Sequence, residues 1–151
     1  MRVLELEQKF KSEETLSQVL EELQDDFNRI DYWAGLLKAN ISDNGAVEAQ
    51  KGLSELTGTF MTLKTALAIA ETEKKNREIR FYSGLRIETE NSGKKFISAV
   101  GEKESAMAVA EYRRVRNIIK AYMEACQVGI STLQSILKAI IEEMKLSGKQ
   151  G

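Results

Sequence analysis

The sequence contains no histidine. That removes the usual general base, the usual metal ligand and the Ser-His-Asp and Cys-His dyads from consideration. Cys126 is the only cysteine, so no internal disulfide and no multi-cysteine zinc site can form. There is no proline either. Proline in a helix interior costs about 3 kcal/mol, so its absence permits very long helices without requiring them. No apolar run approaches the roughly 20 residues that cross a bilayer. Met61 to Ala70 is interrupted by Lys64 and threonines, and the first residues carry Glu5 and Glu7 where a signal peptide would be apolar. These absences describe a cytosolic protein that binds and assembles rather than one that catalyses, with no metal, no cofactor and no membrane partner expected.

What is present fits one helical domain. Of 151 residues, 42% are hydrophobic and 30% charged, too apolar for a disordered chain and too charged for a membrane protein. Residues 1–11 read as an N-terminal extension. A first helix is expected from Ser12 to Ala39, with an apolar stripe through Leu16, Val19, Leu20, Leu23, Phe27, Ile30, Trp33 and Leu37. Ser12 suits its N-cap, and Glu13 and Glu14 suit its first turn. Residues 40–45 are dense in turn formers. A second helix is expected from Ala46 to Tyr82, striped by Leu53, Leu56, Phe60, Leu63, Leu67 and Ala70, and stopped at Ser83-Gly84. Beyond Ala70 the stripe fades, which suits a helix that leaves the core or lines a partner surface.

The segment 85–100 alternates Leu85, Ile87 and Thr89 with Arg86, Glu88 and Glu90 before Asn91-Ser92-Gly93. It reads as a short β-hairpin or as a mobile loop that orders on a ligand or neighbouring subunit. A third helix is expected from Gly101 to about 147, with Gly148 as terminator. Its apolar face runs from Ile118 to Met144 and is too long for a small domain to cover. The expected fold is therefore all-α: three long antiparallel helices forming a homo-oligomer through Ile130, Leu133, Leu137, Ile140 and Met144. Cys126 lies on this face and reads as a buried, inert thiol.

Charge is unevenly placed. Residues 1–34 hold four basic and nine acidic side chains, a net of −5, whereas residues 74–120 hold twelve basic and six acidic, a net of +6. A basic middle suits phosphate contacts, and Phe81, Tyr82, Phe96 and Tyr112 are interleaved with it, as stacking on single-stranded bases requires. The same aromatics could equally be core. Two enzyme readings fail. Glu21, Glu22, Asp25 and Asp26 place carboxylates on shared helix faces, but a magnesium site needs a second acidic cluster, and only Glu48 and Glu55 are on offer. Gly93-Lys94-Lys95 lacks the first glycine and the Ser/Thr of a phosphate loop.

The charged helix end Glu73-Lys74-Lys75-Asn76-Arg77-Glu78-Ile79-Arg80, the following Phe81-Tyr82-Ser83-Gly84, and a long last helix carrying Glu111-Tyr112 together resemble the UvsY-type recombination mediators of tailed phages. The resemblance covers roughly residues 63–144. It implies a helical oligomer in the cytoplasm of an infected bacterium that binds single-stranded DNA and helps a RecA-like recombinase displace the single-strand-binding protein. It places DNA contacts near Lys75 and Arg77, then Arg80. Glu78 stands where that family carries an arginine, and a one-residue shift turns a helical side chain by about 100°. With the surrounding basic and aromatic residues, the candidate DNA-binding set is Lys74, Lys75, Arg77, Arg80, Tyr82, Arg86, Lys94 and Lys95. The alternative is a helical scaffold, adaptor or host-defence inhibitor that binds proteins only.

Overall fold

A computed structural model describes residues 3–39 and 45–150. Among them every regular element is helical: α1 (Val3–Phe10), a 3₁₀ turn (Glu13–Thr15), α2 (Leu16–Glu22), α3 (Gln24–Lys38), α4 (Gly45–Asn91), α5 (Ser98–Ala108) and α6 (Ala110–Gln150). No described helix is long and apolar enough to cross a membrane. The chain divides into two compact units, Met1–Glu22 with Thr65–Ile119 and Leu23–Lys64 with Lys120–Gly151.

The first unit packs Leu6 and Phe10 of α1, Leu16 and Val19 of α2, Ala66 and Ala70 of α4, and Tyr112, Val115 and Ile119 of α6 into its interior. The supposed N-terminal extension is thus a helix with two core anchors. Ser12 caps as expected, its hydroxyl accepting from the Glu14 amide at 3.3 Å. It caps the short 3₁₀ turn, however, and not one long helix. Thr15 Oγ1 donates to the Lys9 carbonyl at 2.6 Å, and Lys9 pairs with Glu22 at 2.7 Å, fixing this corner.

The helix expected over Ser12–Ala39 is broken again at Leu23, whose backbone sits at φ −95° and ψ 2°. Asp25 and Asp26 then occupy the first turn of α3, where carboxylates favour the positive end of a helix.

The second unit is built around Leu23 at the break, Phe27, Ile30 and Trp33 of α3, Ala49, Leu56 and Leu63 of α4, and Cys126 and Leu133 of α6, all buried. Phe27 stacks on Tyr122 with ring centroids 4.2 Å apart, and Tyr122 donates to Asp31 at 3.2 Å. Asp26, half-buried between α3 and α4, accepts from Thr59 at 3.3 Å. Residues 40–44, the expected break between the first two helices, lie outside the described residues. The start of α4 at Gly45 is one residue from the expected position.

The largest corrections concern the middle of the chain. The helix does not stop at Ser83-Gly84, and no β-hairpin follows: within the expected 85–100 segment only 92–97 form an irregular connection, before α5 begins at Ser98. α4 continues through Leu85–Asn91. Thr89 Oγ1 donates to the Leu85 carbonyl at 2.7 Å, Ser92 Oγ to the Glu88 carbonyl at 2.9 Å, and Arg86 pairs with Glu90 at 3.2 Å. The Arg86–Glu90 pair favours the extra turns by a few tenths of a kcal/mol, and the Thr89 and Ser92 hydroxyls find acceptors within the helix, whereas a lone two-stranded hairpin is marginal in water. The real stop is Gly93, at φ +74°. Its amide bonds the Glu90 carbonyl at 3.1 Å and the Lys94 amide bonds the Thr89 carbonyl at 3.2 Å, the paired reverse bonds of a glycine-terminated helix.

The third expected helix is two. α5 begins at Ser98 and ends at Val109 (φ −105°, ψ 18°), where Arg113 reaches back to the Ala106 carbonyl at 2.6 Å and occupies an acceptor the helix end leaves free. Gly148 does not terminate α6, which runs on to Gln150.

Candidate nucleic-acid interface

The second half of α4 carries most of the candidate DNA-binding residues, and helical geometry sorts them onto different faces. Arg77, Arg80 and Phe81 stand three and four residues apart and share one face. Lys75, Glu78, Ile79 and Tyr82 share another.

The first face opens into a cleft of about 510 Å³ within the first unit, lined by Glu13, Arg77, Arg80, Phe81, Ala108, Val109 and Tyr112. Three separate pieces of chain build it. The Ser12-capped turn presents Glu13, α4 presents the two arginines and Phe81, and the α5–α6 junction at Val109 supplies the apolar floor. The Arg77 guanidinium lies over the Tyr112 ring, 5.1 Å from its centroid, a placement favoured by the negative face of the ring. Tyr112 is only 2% exposed. Its hydroxyl is buried and has no hydrogen-bond partner. Burial holds this phenol above its ordinary range, with Arg77 opposing and Glu13 and Glu73 reinforcing the shift. Phe81 is 43% exposed, so its ring face is available. Among the described residues no carboxylate forms an ion pair with Arg77 or Arg80.

The second face lines a shallower depression of about 310 Å³ with Lys75, Glu78, Ile79, Tyr82, Glu102 and Ser105. Lys74 is engaged by Glu78 at 3.6 Å, and Arg86 by Glu90 at 3.2 Å, so both are less available to phosphate than their sequence positions imply. Tyr82 is half-buried and meets Phe96 edge-on at 5.3 Å. Lys94 and Lys95 are exposed beyond Gly93, with Lys95 at the rim of a small hollow beside Phe96 and Glu104. The structure therefore brings Arg77 and Arg80 into one site, places Lys75 and Tyr82 at a second, and leaves Lys94 and Lys95 apart.

Glu13 was not legible as part of this site. It is 64 residues from Arg77 in sequence, and no local pattern couples a helix-start glutamate to a distant arginine. Phe81 and Tyr112 could be flagged as aromatics beside basic residues, but which of them would be buried could not.

The proposed assembly face also divides. Leu133 is 0% exposed and belongs to the core of its own unit. Ile130, Leu137 and Ile140 are half-buried, while Met144 is 66% exposed. None of them lines the apolar groove of about 310 Å³ in the same unit, which is formed by Trp33, Leu37, Cys126, Val128 and Gly129 among others. Cys126 donates to the Leu56 carbonyl at 3.1 Å, and burial pushes its thiol up to about 11, as expected for an inert thiol. Comparison with protein-family models, with curated proteins and with solved structures finds no match for this chain.

Proposed function

We propose that this protein binds single-stranded DNA without catalysing a reaction and acts, as a homo-oligomer in the cytoplasm of an infected bacterium, to load a RecA-like recombinase in place of single-strand-binding protein. One observation carries the DNA part: Arg77 and Arg80, free of ion pairs among the described residues, share a cleft with the exposed face of Phe81. Phosphate attraction beside an aromatic platform is the combination that holds single strands with little dependence on sequence. The recombinase and single-strand-binding protein enter through the resemblance of residues 63–144 to UvsY-type mediators alone.

Fluorescence anisotropy with labelled oligo-dT at two salt concentrations tests the reading. Affinity should fall with salt, and each phosphate contact removed should flatten the log–log slope by about 0.7. Arg80→Ala and Lys75→Ala are the variants of choice, because Arg77 also packs on Tyr112. Absence of binding at low salt overturns the reading. With binding established, failure to speed recombinase assembly on a protein-coated strand overturns the mediator role.

A second reading, a helical scaffold, adaptor or host-defence inhibitor that binds only proteins, is favoured by the apolar groove of the second unit and by the exposure of Val128, Ile141, Met144 and Leu146. It predicts no DNA binding at any salt concentration.

A further inference from the structure

The cleft is more specialised than non-specific strand binding requires. Sliding along a phosphate backbone needs only an open basic groove. Here two arginines line one hollow of about 510 Å³ together with two aromatic residues and a glutamate. The Tyr112 hydroxyl adds a second, independent observation. A buried hydroxyl without a partner is destabilising, and native structures keep few of them. Tyr112 is one of the residues that line the basic cleft, so a ligand oxygen that reaches its hydroxyl, with a small shift of the side chains that cover it, would complete it.

We propose that this cleft holds one unstacked nucleotide, with its phosphate on Arg77, Arg80 and the Tyr112 hydroxyl, its base against Phe81, and an amino group of that base donating to Glu13. The inference rests on the single-strand reading and adds selectivity to it. Glu13 is an acceptor only when ionised. Cytosine offers its N4 amino group to such a carboxylate. Thymine offers a carbonyl oxygen at that position, which would face the carboxylate as acceptor against acceptor. Each protomer thus favours cytosine over thymine at the one position that enters the cleft, while the neighbouring nucleotides bind without preference.

The test compares short oligo-dT with oligo-dC, two pyrimidine strands of equal length, and measures dCMP binding by calorimetry. Oligo-dC should bind about tenfold more tightly than oligo-dT, the effect of one hydrogen bond to a charged group. Glu13→Gln should bring the two affinities together, because an amide both donates and accepts. Glu13 is exposed, so the fold should tolerate this change. Tyr112→Phe should weaken dCMP binding several-fold and raise the melting temperature by about 2 °C or more, since removing an unpartnered buried hydroxyl relieves the fold. A hydroxyl with a merely structural role would lower the melting temperature and leave dCMP affinity unchanged, and that pair of results overturns the phosphate assignment. Equal affinity of the wild type for both strands overturns the pocket and leaves the single-strand reading standing. Failure of both strands to bind overturns the single-strand reading, and failure of dCMP to bind at millimolar concentration overturns the pocket whatever the strands do.

Discussion

The indole nitrogen of Trp33 donates a 2.7 Å hydrogen bond to the Glu55 carboxylate, joining α3 to α4 inside the second unit. Trp33 is 1% exposed, so no bulk water can replace that acceptor. Glu55→Leu would leave a buried N–H unsatisfied, and its loss should lower stability by about 1–3 kcal/mol. Glu55→Gln keeps an acceptor at the same reach and should recover most of it. Urea unfolding of the three proteins, followed by tryptophan fluorescence, checks the order wild type, Gln, Leu. A Leu variant as stable as wild type would mean the bond is not holding α3 to α4.

Two glycines of α4 should respond in opposite directions to the same substitution. A Cβ on Gly52 would fall 2.7 Å from Leu133 Cδ1 and 2.9 Å from Trp33 Cζ3, whereas one on Gly58 would meet nothing within 4 Å. Gly52→Ala therefore overpacks the unit and should cost about 1–3 kcal/mol. Gly58→Ala removes backbone entropy from the unfolded chain at an open helical site and should stabilise by up to about 1 kcal/mol. Melting temperatures of the two variants check the contrast, and a shift of the same sign in both would contradict the packing described around Gly52.

This contrast shows what the sequence could and could not reveal. Both glycines interrupt the same expected stripe, and nothing local tells a close approach from an open position. The Ser12 cap was legible because a cap and its amide are two residues apart. Asn91-Ser92-Gly93 was legible as a turn, but a left-handed glycine serves a hairpin and a helix end alike, and six alternating residues do not decide between them. α4 stays helical there, with the Arg86–Glu90 pair along it and Gly93 closing its end. The helix breaks at Leu23 and Val109 carry neither glycine nor proline, so no breaker marked them. The cleft joins residues from three distant pieces of chain, and its basic and aromatic members were visible while its acidic wall was not.

The burial of Leu133 separates folding from assembly. Leu133→Asp would place a charge in the core of the second unit, and it should unfold that unit instead of releasing intact protomers. Met144→Asp, at an exposed position, should change stability by no more than about 0.5 kcal/mol. If the end of α6 holds copies of the chain together, this variant sediments as a smaller species with an unchanged helical circular dichroism spectrum. An unchanged sedimentation coefficient for Met144→Asp removes Met144 from any such contact.

Cys126 predicts an alkaline weakness with a definite sign. Its thiol is pushed up from the ordinary 9.0 to about 11, first by burial and then by the nearby Asp26 charge. A raised thiol value means that the folded state holds the proton which the unfolded chain releases. The stability this gives is fully present below about pH 9 and is lost as pH rises towards 11. Other groups titrate in the same range, so the comparison must be with Cys126→Ala, which lacks the thiol but keeps the tyrosines and lysines. Cys126→Ala also loses the packing of the sulfur and its bond to the Leu56 carbonyl, so it should be less stable than wild type at neutral pH. The gap between the two should narrow from pH 9 upwards, because only the wild type has a buried thiol to ionise. Urea unfolding at pH 7, 9 and 10.5 measures the gap, and a constant difference across the three would show that the thiol titrates alike in the folded and unfolded chain.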